Sequence, residues 1–233
     1  MRIFSCLSFL LFFVPSVFAG EWREIESGFS ALQINEPRIH LIRVDPSKWR
    51  LDVMQAKDYG QVALSARRYR ERSGATLVQN GGFFDEKFGS LGLLVQKGKM
   101  VSPLRKASWG VFYLAGGAPM IVGPREYNDS MSVEMAIQAG PRLVVGGKAL
   151  KVKESLPARR SAIGITEQKE ILLALCETPI LLKDWAEWLR KYAANALNLD
   201  GGGSSQISVK LKDFALHVSG ETGVPNALGL FPR

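Results

Sequence analysis

Asn198-Leu199-Asp200-Gly201-Gly202-Gly203-Ser204-Ser205, reached through Ala194-Asn195-Ala196-Leu197, is the stretch that organises the rest of the chain. Three consecutive glycines directly after a carboxylate carry a folding-entropy cost unless their φ freedom or their missing side chain is used. A strand that delivers Asp200 to its end, followed by bare peptide N–H groups and two hydroxyls, suits a polar or anionic ligand lying against the main chain. A tight turn between two strands, with Asp-Gly as ordinary hairpin chemistry, accounts for the same residues. Both readings stay open on this stretch alone.

Working outward, Ala75-Thr76-Leu77-Val78-Gln79 reads as a strand that runs into Asn80-Gly81-Gly82-Phe83-Phe84-Asp85. Here again an apolar strand ends in a polar residue and consecutive glycines. Strands are also expected at Phe29 to Ile34, Arg38 to Val44 and Arg50 to Ala56, separated by Asn35-Glu36-Pro37 and Asp45-Pro46-Ser47. Leu93 to Gln96, Trp109 to Leu114 and Met120 to Val122 follow, and Ser132 to Gln138 leads into a turn and hairpin through Ala139 to Gly147. Arg159 to Ile165, Glu170 to Cys176, Gln206 to Leu211, Phe214 to Val218 and Asn226 to Leu230 complete the strands. Ala63 to Arg72 reads as a short helix stopped near Gly74. Leu181 to Tyr192 is the clearest helix, with Leu181, Leu182, Trp185, Trp188, Leu189 and Tyr192 on one face. No linker rich in proline, serine or charge and no solenoid-length repeat interrupts the chain. The expected architecture is a single α+β domain with a mixed, mainly antiparallel sheet and a few helices.

The chain opens Met1-Arg2, runs apolar from Ile3 to Val14 and reaches Val17-Phe18-Ala19. One positive charge, a short apolar core and small residues at minus three and minus one describe a secretory signal over residues 1–19, with the domain over 20–233. The segment is too short and wrongly flanked for a spanning helix. Export to a bacterial periplasm or cell exterior is therefore expected, with no integral membrane segment after cleavage. Of the two cysteines, Cys6 lies in the signal and Cys176 in the apolar run Ile171 to Leu175, which suits a buried thiol better than a catalytic one. The net charge of +8 favours anionic partners such as phosphate-bearing glycans or membrane surfaces, and export makes nucleic acid the poorest fit.

Two histidines, His40 and His217, both alternating within expected strands, argue against a histidine-based triad or a zinc site. No phosphate-loop segment and no G-x-S-x-G elbow occurs. Carboxylates and arginines remain as the reactive inventory. Four segments combine a glycine or small residue with a charged or amide side chain at a strand boundary: Asn80 to Asp85, Gly140 to Arg142, Arg160 to Gly164 and Asp200 to Ser205.

These segments, with Gly92-Leu93-Leu94-Val95 and Val224-Pro225-Asn226-Ala227, occur in an order that resembles the phosphodiester glycosidase family, the domain of the lysosomal uncovering enzyme and of many exported bacterial proteins. The resemblance covers the chain from Ala75 to its end. One departure is Glu177-Thr178-Pro179, which stands where many members carry a glycine-arginine pair.

The resemblance implies cleavage of a sugar-1-phosphodiester at the glycosidic carbon. A phosphate leaving group, with a second pKa of about 6, departs without a strong general acid. One carboxylate is then expected to activate water or attack the sugar, with cations or backbone N–H groups holding the phosphate. Asp200 is the first choice for that carboxylate and Asp85 the second. Arg160 and Arg142 are the expected phosphate clamps. Asn80, Gly81, Gly82 and Ser204 are placed to orient sugar or phosphate, and the amides of Gly201, Gly202 and Gly203 to form an anion nest. Calcium or magnesium held by Asp200, Asp85 and nearby carbonyls is compatible with these oxygen ligands. The rival readings are a non-catalytic glycan-binding or envelope-assembly module with the same fold, and cleavage at the P–O bond.

Overall fold

The structure, a computed structural model, describes residues 20–128, 132–153 and 155–233, so the expected signal over 1–19 lies outside the described residues. Every strand pairing among the described residues is antiparallel. The expectation of a mainly antiparallel, sheet-bearing domain is met, with sheet more dominant than an α+β label conveys: two α-helices accompany three sheets.

The largest sheet has eight strands, in the order Arg23–Glu26, Phe29–Ile34, Ile39–Val44, Ile171–Ile180, Ala158–Ile165, Asn195–Asn198, Arg142–Val145 and Lys148–Ala149. A five-stranded sheet runs Lys99–Ser102, Leu94–Gln96, Val133–Ala139, Gly110–Ala115 and Ala118–Val122. A second five-stranded sheet runs Ala215–Val218, Ile207–Lys210, Leu77–Asn80, Asn226–Pro232 and Trp49–Gln55. One continuous core joins all three, with Phe29, Ile42, Leu173 and Leu197 from the large sheet, Phe112 and Ile137 from the first small sheet, and Leu77, Ile207 and Leu228 from the second. The strands buried on both faces read as nearly unbroken apolar runs, Ile171 to Cys176 being the longest among the described residues.

The outer faces are covered separately. Helix Leu182–Leu189 lies over the large sheet, where Leu182, Trp185, Ala186 and Leu189 pack with Leu143, Val144, Ala174 and Ala196. Helix Ala66–Ser73 covers the sheet containing Leu77–Asn80, with Tyr69 fully buried and its hydroxyl donating to the carbonyl of Val224 at 3.1 Å. The Ser65 hydroxyl caps that helix by accepting from the Arg68 N–H, and Gly74, at φ 72°, ends it. No helix of the described residues is long and apolar enough to cross a membrane.

Three details bear on the expectations. The strand expected to stop at Cys176 continues to Ile180 across an irregular register, because Thr178 Oγ1 accepts the N–H of Arg38 and the Glu177 carboxylate meets His40 Nε2 at 2.6 Å. His40 is thereby a buried structural partner, whereas His217 is exposed and paired with the Ser219 hydroxyl at 3.0 Å. Cys176 is a free, fully buried thiol whose pKa burial pushes up to about 11.

Trp185 is fully buried, yet its ring N–H has no partner, so its contribution is packing. Trp185→Ala is expected to cost about 3–5 kcal/mol, and Trp185→Phe, which strands no polar atom, only about 1–2 kcal/mol. Urea denaturation of the two variants checks the difference.

Candidate functional site

Strand Asn195–Asn198 is an interior strand of the large sheet, flanked by Ala158–Ile165 and Arg142–Val145. Its end is fixed from both sides: the Leu199 N–H donates to the Ser161 carbonyl at 2.9 Å, and Asn198 Nδ2 donates to the Gly140 carbonyl at 3.1 Å. Asp200 is therefore delivered by a clamped strand, and its own N–H donates to the carbonyl of Gly81 at 3.1 Å. The two glycine-rich segments singled out in the sequence thus meet backbone to backbone.

Asn80 holds that junction. Its side chain is fully buried, Nδ2 donates to the Asp200 carbonyl at 2.8 Å, and Oδ1 accepts from the Ser161 hydroxyl at 2.7 Å and the Gln206 N–H at 3.1 Å. Expected to orient sugar or phosphate, Asn80 instead directs its carboxamide to protein partners and positions Asp200. Gly81 and Gly82 are likewise hemmed in by the chain. A Cβ on Gly81 would stand 2.1 Å from Asn226 Oδ1, and one on Gly82 would stand 3.1 Å from the Gln138 carbonyl, so both glycines are required by chain packing. Asn226, buried, accepts the Gly82 N–H at 2.8 Å and donates to the Ser90 hydroxyl at 3.2 Å.

The triple glycine is arranged differently. Gly201 is extended, its N–H donating to Asp200 Oδ1 at 3.0 Å, and Gly202 adopts φ 58°, the left-handed region in which a side chain is strained. A short 3-10 turn, Gly202–Ser204, follows. Among the described residues, no protein acceptor takes the N–H of Gly202 or Gly203. A Cβ at Gly202 would meet nothing within 4 Å, so this glycine opens to free space while Gly81 does not. Burial raises the Asp200 carboxyl above its ordinary value, and the Ser204 hydroxyl and Gly201 N–H pull it back.

Arg160 approaches the start of the glycine run. Its Nε donates to the Ile180 carbonyl at 3.2 Å, and one terminal nitrogen donates to the Ser155 hydroxyl and Leu156 carbonyl at 3.1 and 2.9 Å. The other terminal nitrogen, Nη1, stands 3.9 Å from where a Gly201 Cβ would be. Burial lowers the pKa of this guanidinium from its ordinary value.

The remaining expected residues go elsewhere. Asp85 is exposed and caps its own turn, Oδ1 accepting the N–H groups of Lys87 and Gly89 at 2.9 and 2.8 Å, with no bond to the Asp200 segment. Arg142 pairs in register with Leu197 but sends its guanidinium to Glu126 at 3.7 Å, in a separate cleft. No group of three or more His, Cys, Asp or Glu among the described residues could hold a metal ion.

Sequence reasoning missed three contributors. Ser161 and Gln206 flank motif residues but carry no signal of their own. Glu221, in the turn Gly220-Glu221-Thr222-Gly223, places a carboxylate 3.1 Å from where a Gly203 Cβ would be, and its N–H donates to the Gly203 carbonyl at 2.8 Å. The half-buried pair Phe83 and Trp109, ring centroids 5.0 Å apart, forms an aromatic floor against Gly140, where a Cβ would come within 2.8 Å of the indole.

A family model described as phosphodiester glycosidase matches residues 73–231. The uncharacterized protein YigE of Escherichia coli is 27% identical over 136 residues, and the alignment spans 53% of this chain and 52% of YigE, about half the length of each. The fold is shared with the catalytic domain of zebrafish N-acetylglucosamine-1-phosphodiester alpha-N-acetylglucosaminidase, auto-inhibited by its pro-peptide. That match has a TM-score of 0.70 at 15% identity and covers 88% of this chain and 82% of that one. A hypothetical protein from Synechocystis matches with a TM-score of 0.65 at 15% identity, over 92% of this chain and 64% of that one.

Two expected outcomes test the site geometry. Gly81→Ala, which must displace Asn226, destabilises by about 3 kcal/mol, whereas Gly202→Ala meets backbone strain alone and costs about 1 kcal/mol. Asp200 has a folded pKa above the unfolded 3.8, so its folded form holds the proton more tightly and stability falls as pH rises through the window that begins at 3.8. The melting temperature of Asp200→Asn, measured against wild type, should therefore be level below pH 3.8, gain as pH rises above 3.8 and level off once the folded carboxyl has ionised.

Proposed function

The chain belongs to the phosphodiester glycosidase family, and from that premise we propose that it is an exported hydrolase that cleaves the glycosidic bond of a sugar-1-phosphodiester in phosphate-bearing envelope polysaccharide. The reading is supported by a half-buried Asp200 carboxyl whose Oδ1 accepts the Gly201 N–H, by the neighbouring Gly202 and Gly203 N–H groups, which have no protein acceptor among the described residues, and by an Arg160 terminal nitrogen 3.9 Å from where a Gly201 Cβ would be. A carboxylate and a guanidinium that each adjoin the glycine run suit a bond whose carbon becomes electron-poor while its leaving oxygen becomes anionic.

Asp200 is raised by burial and so is a stronger base than an ordinary carboxylate, while its Ser204 and Gly201 partners keep the charged form accessible. It takes a proton from water as the water oxygen bonds to the anomeric carbon, or bonds that carbon itself ahead of water. In either course the carbon–oxygen bond to phosphate breaks and its electron pair stays on the phosphate. Arg160 Nη1 and the amides of Gly202 and Gly203 receive that charge, their N–H groups matching phosphate oxygens. No separate general acid is required, since a phosphomonoester with a second pKa of about 6 leaves unprotonated or singly protonated. The secretory segment over residues 1–19 supports the exported setting.

The test is release of free sugar from a panel of sugar-1-phosphodiesters in oxygen-18 water. The label is expected in the sugar; label in the phosphate means cleavage at the P–O bond. Asp200→Asn is expected to lower kcat on the order of 10³-fold with little change in KM, and Arg160→Lys to raise KM roughly tenfold. Binding of the phosphodiester without turnover would favour the non-catalytic module.

A further inference from the structure

A second concave surface has no part in that step. Arg105, Lys106, Arg125, Glu126 and Arg142 line a cleft of about 820 Å³, with Leu104 and Pro124 contributing apolar surface. Arg105, Lys106 and Arg125 are exposed and make no ion pair among the described residues. Among the described residues the one acid lining the cleft is Glu126, divided between the Gly123 N–H at 2.6 Å and Arg142 at 3.7 Å. Four cations therefore face one committed carboxylate, a surplus that like-charge repulsion makes costly unless an anion is met.

The cleft is also tied to the Asp200 site. Arg142 lies opposite Leu197 on the strand that ends at Asp200. The Arg105 guanidinium sits 5.6 Å from the Trp109 ring centroid, and Trp109 packs on Gly140, whose carbonyl accepts from Asn198. One phosphodiester carries a single charge, which Arg160 and the glycine amides meet. The basic cleft is too large and too highly charged for that one group.

We propose that this cleft holds the continuation of the substrate, an anionic polysaccharide chain with a phosphodiester in each repeat, so that the protein selects polymer over a single repeat. The proposal rests on the reading of the Asp200 site given above. A concave groove with spaced cations suits a flexible chain whose charges recur, whereas a bilayer of anionic lipid presents charge to a flat or convex face. Successive phosphate contacts add up as parallel ion pairs, so selection for length is steep at low salt and fades as the Debye length shrinks.

Binding separates this proposal from the hydrolase reading. With full-length Asp200→Asn protein, an end-labelled oligomer of several glycosyl-phosphate repeats is titrated against the single repeat by fluorescence anisotropy. The oligomer is expected to bind at least about tenfold more tightly, the advantage collapsing at about 0.5 M salt. Lys106→Glu with Arg125→Glu should abolish the preference, while Lys210→Glu with Lys212→Glu, at the far end of the sheet containing Leu77–Asn80, should keep it. Equal binding of oligomer and single repeat, a preference insensitive to salt, or tighter binding to phosphatidylglycerol vesicles than to the oligomer overturns the proposal. The salt series on the protein without the cleft substitutions decides the matter even if the double variant fails to fold. Length-dependent, salt-sensitive binding with no turnover of either substrate by wild type leaves the cleft assignment standing and removes the hydrolase.

Discussion

The buried carboxamide of Asn80 is the point on which the rest of the site depends. It joins the end of a strand in one sheet to three partners: the Asp200 carbonyl, the Ser161 hydroxyl and the Gln206 N–H. Only a side chain with a donor and an acceptor on one planar group can satisfy both kinds at once. Because the group is away from water, each lost bond would strand a polar atom at a cost of about 1–3 kcal/mol. This constraint fixes where the large sheet meets the sheet containing Leu77–Asn80, and thus where the Asp200 carboxylate points.

Around that junction, glycines serve two different ends. Gly81 and Gly82 are bare because another part of the chain occupies the space a side chain would need, Asn226 in one case and the Gln138 carbonyl in the other. Gly202 is bare because its backbone turns left-handed, and the space beside it is open. In sequence the two runs look alike. Only the three-dimensional surroundings tell a glycine excluded by protein from one facing free space.

That ambiguity marks the boundary of what was legible. Alternation and turn residues located most strands to within a residue or two, Phe29–Ile34 among them, and helical spacing located the helix bearing Trp185. The division into three sheets was not legible, because local patterning states which face of a strand is buried and leaves open which distant strand pairs with it. Asp200 and Arg160 could be proposed together because small residues beside charged ones at strand ends are unusual. That the Asn80 carboxamide meets protein partners was not legible, because a polar residue before two glycines reads the same whether it meets substrate or protein. That Asp85 caps its own turn was not legible, because such an aspartate has the same letters as a catalytic one. Ser161 and Gln206 had no local signal: each gains its meaning from a partner at least 80 residues away.

The strand Asn226–Pro232 lies between Leu77–Asn80 and Trp49–Gln55, hydrogen-bonded to both. A chain made or threaded from its N-terminus must therefore leave a gap in that sheet until residues some 150 positions later arrive, an ordering in which local contacts cannot finish the core early. Asn226, on the same strand, supplies the group that receives the Gly82 N–H, so the floor beneath Asp200 closes in the same event. Assembly of the core and maturation of the site are thereby one step, and a partly emerged chain presents unpaired strand edges and no formed site.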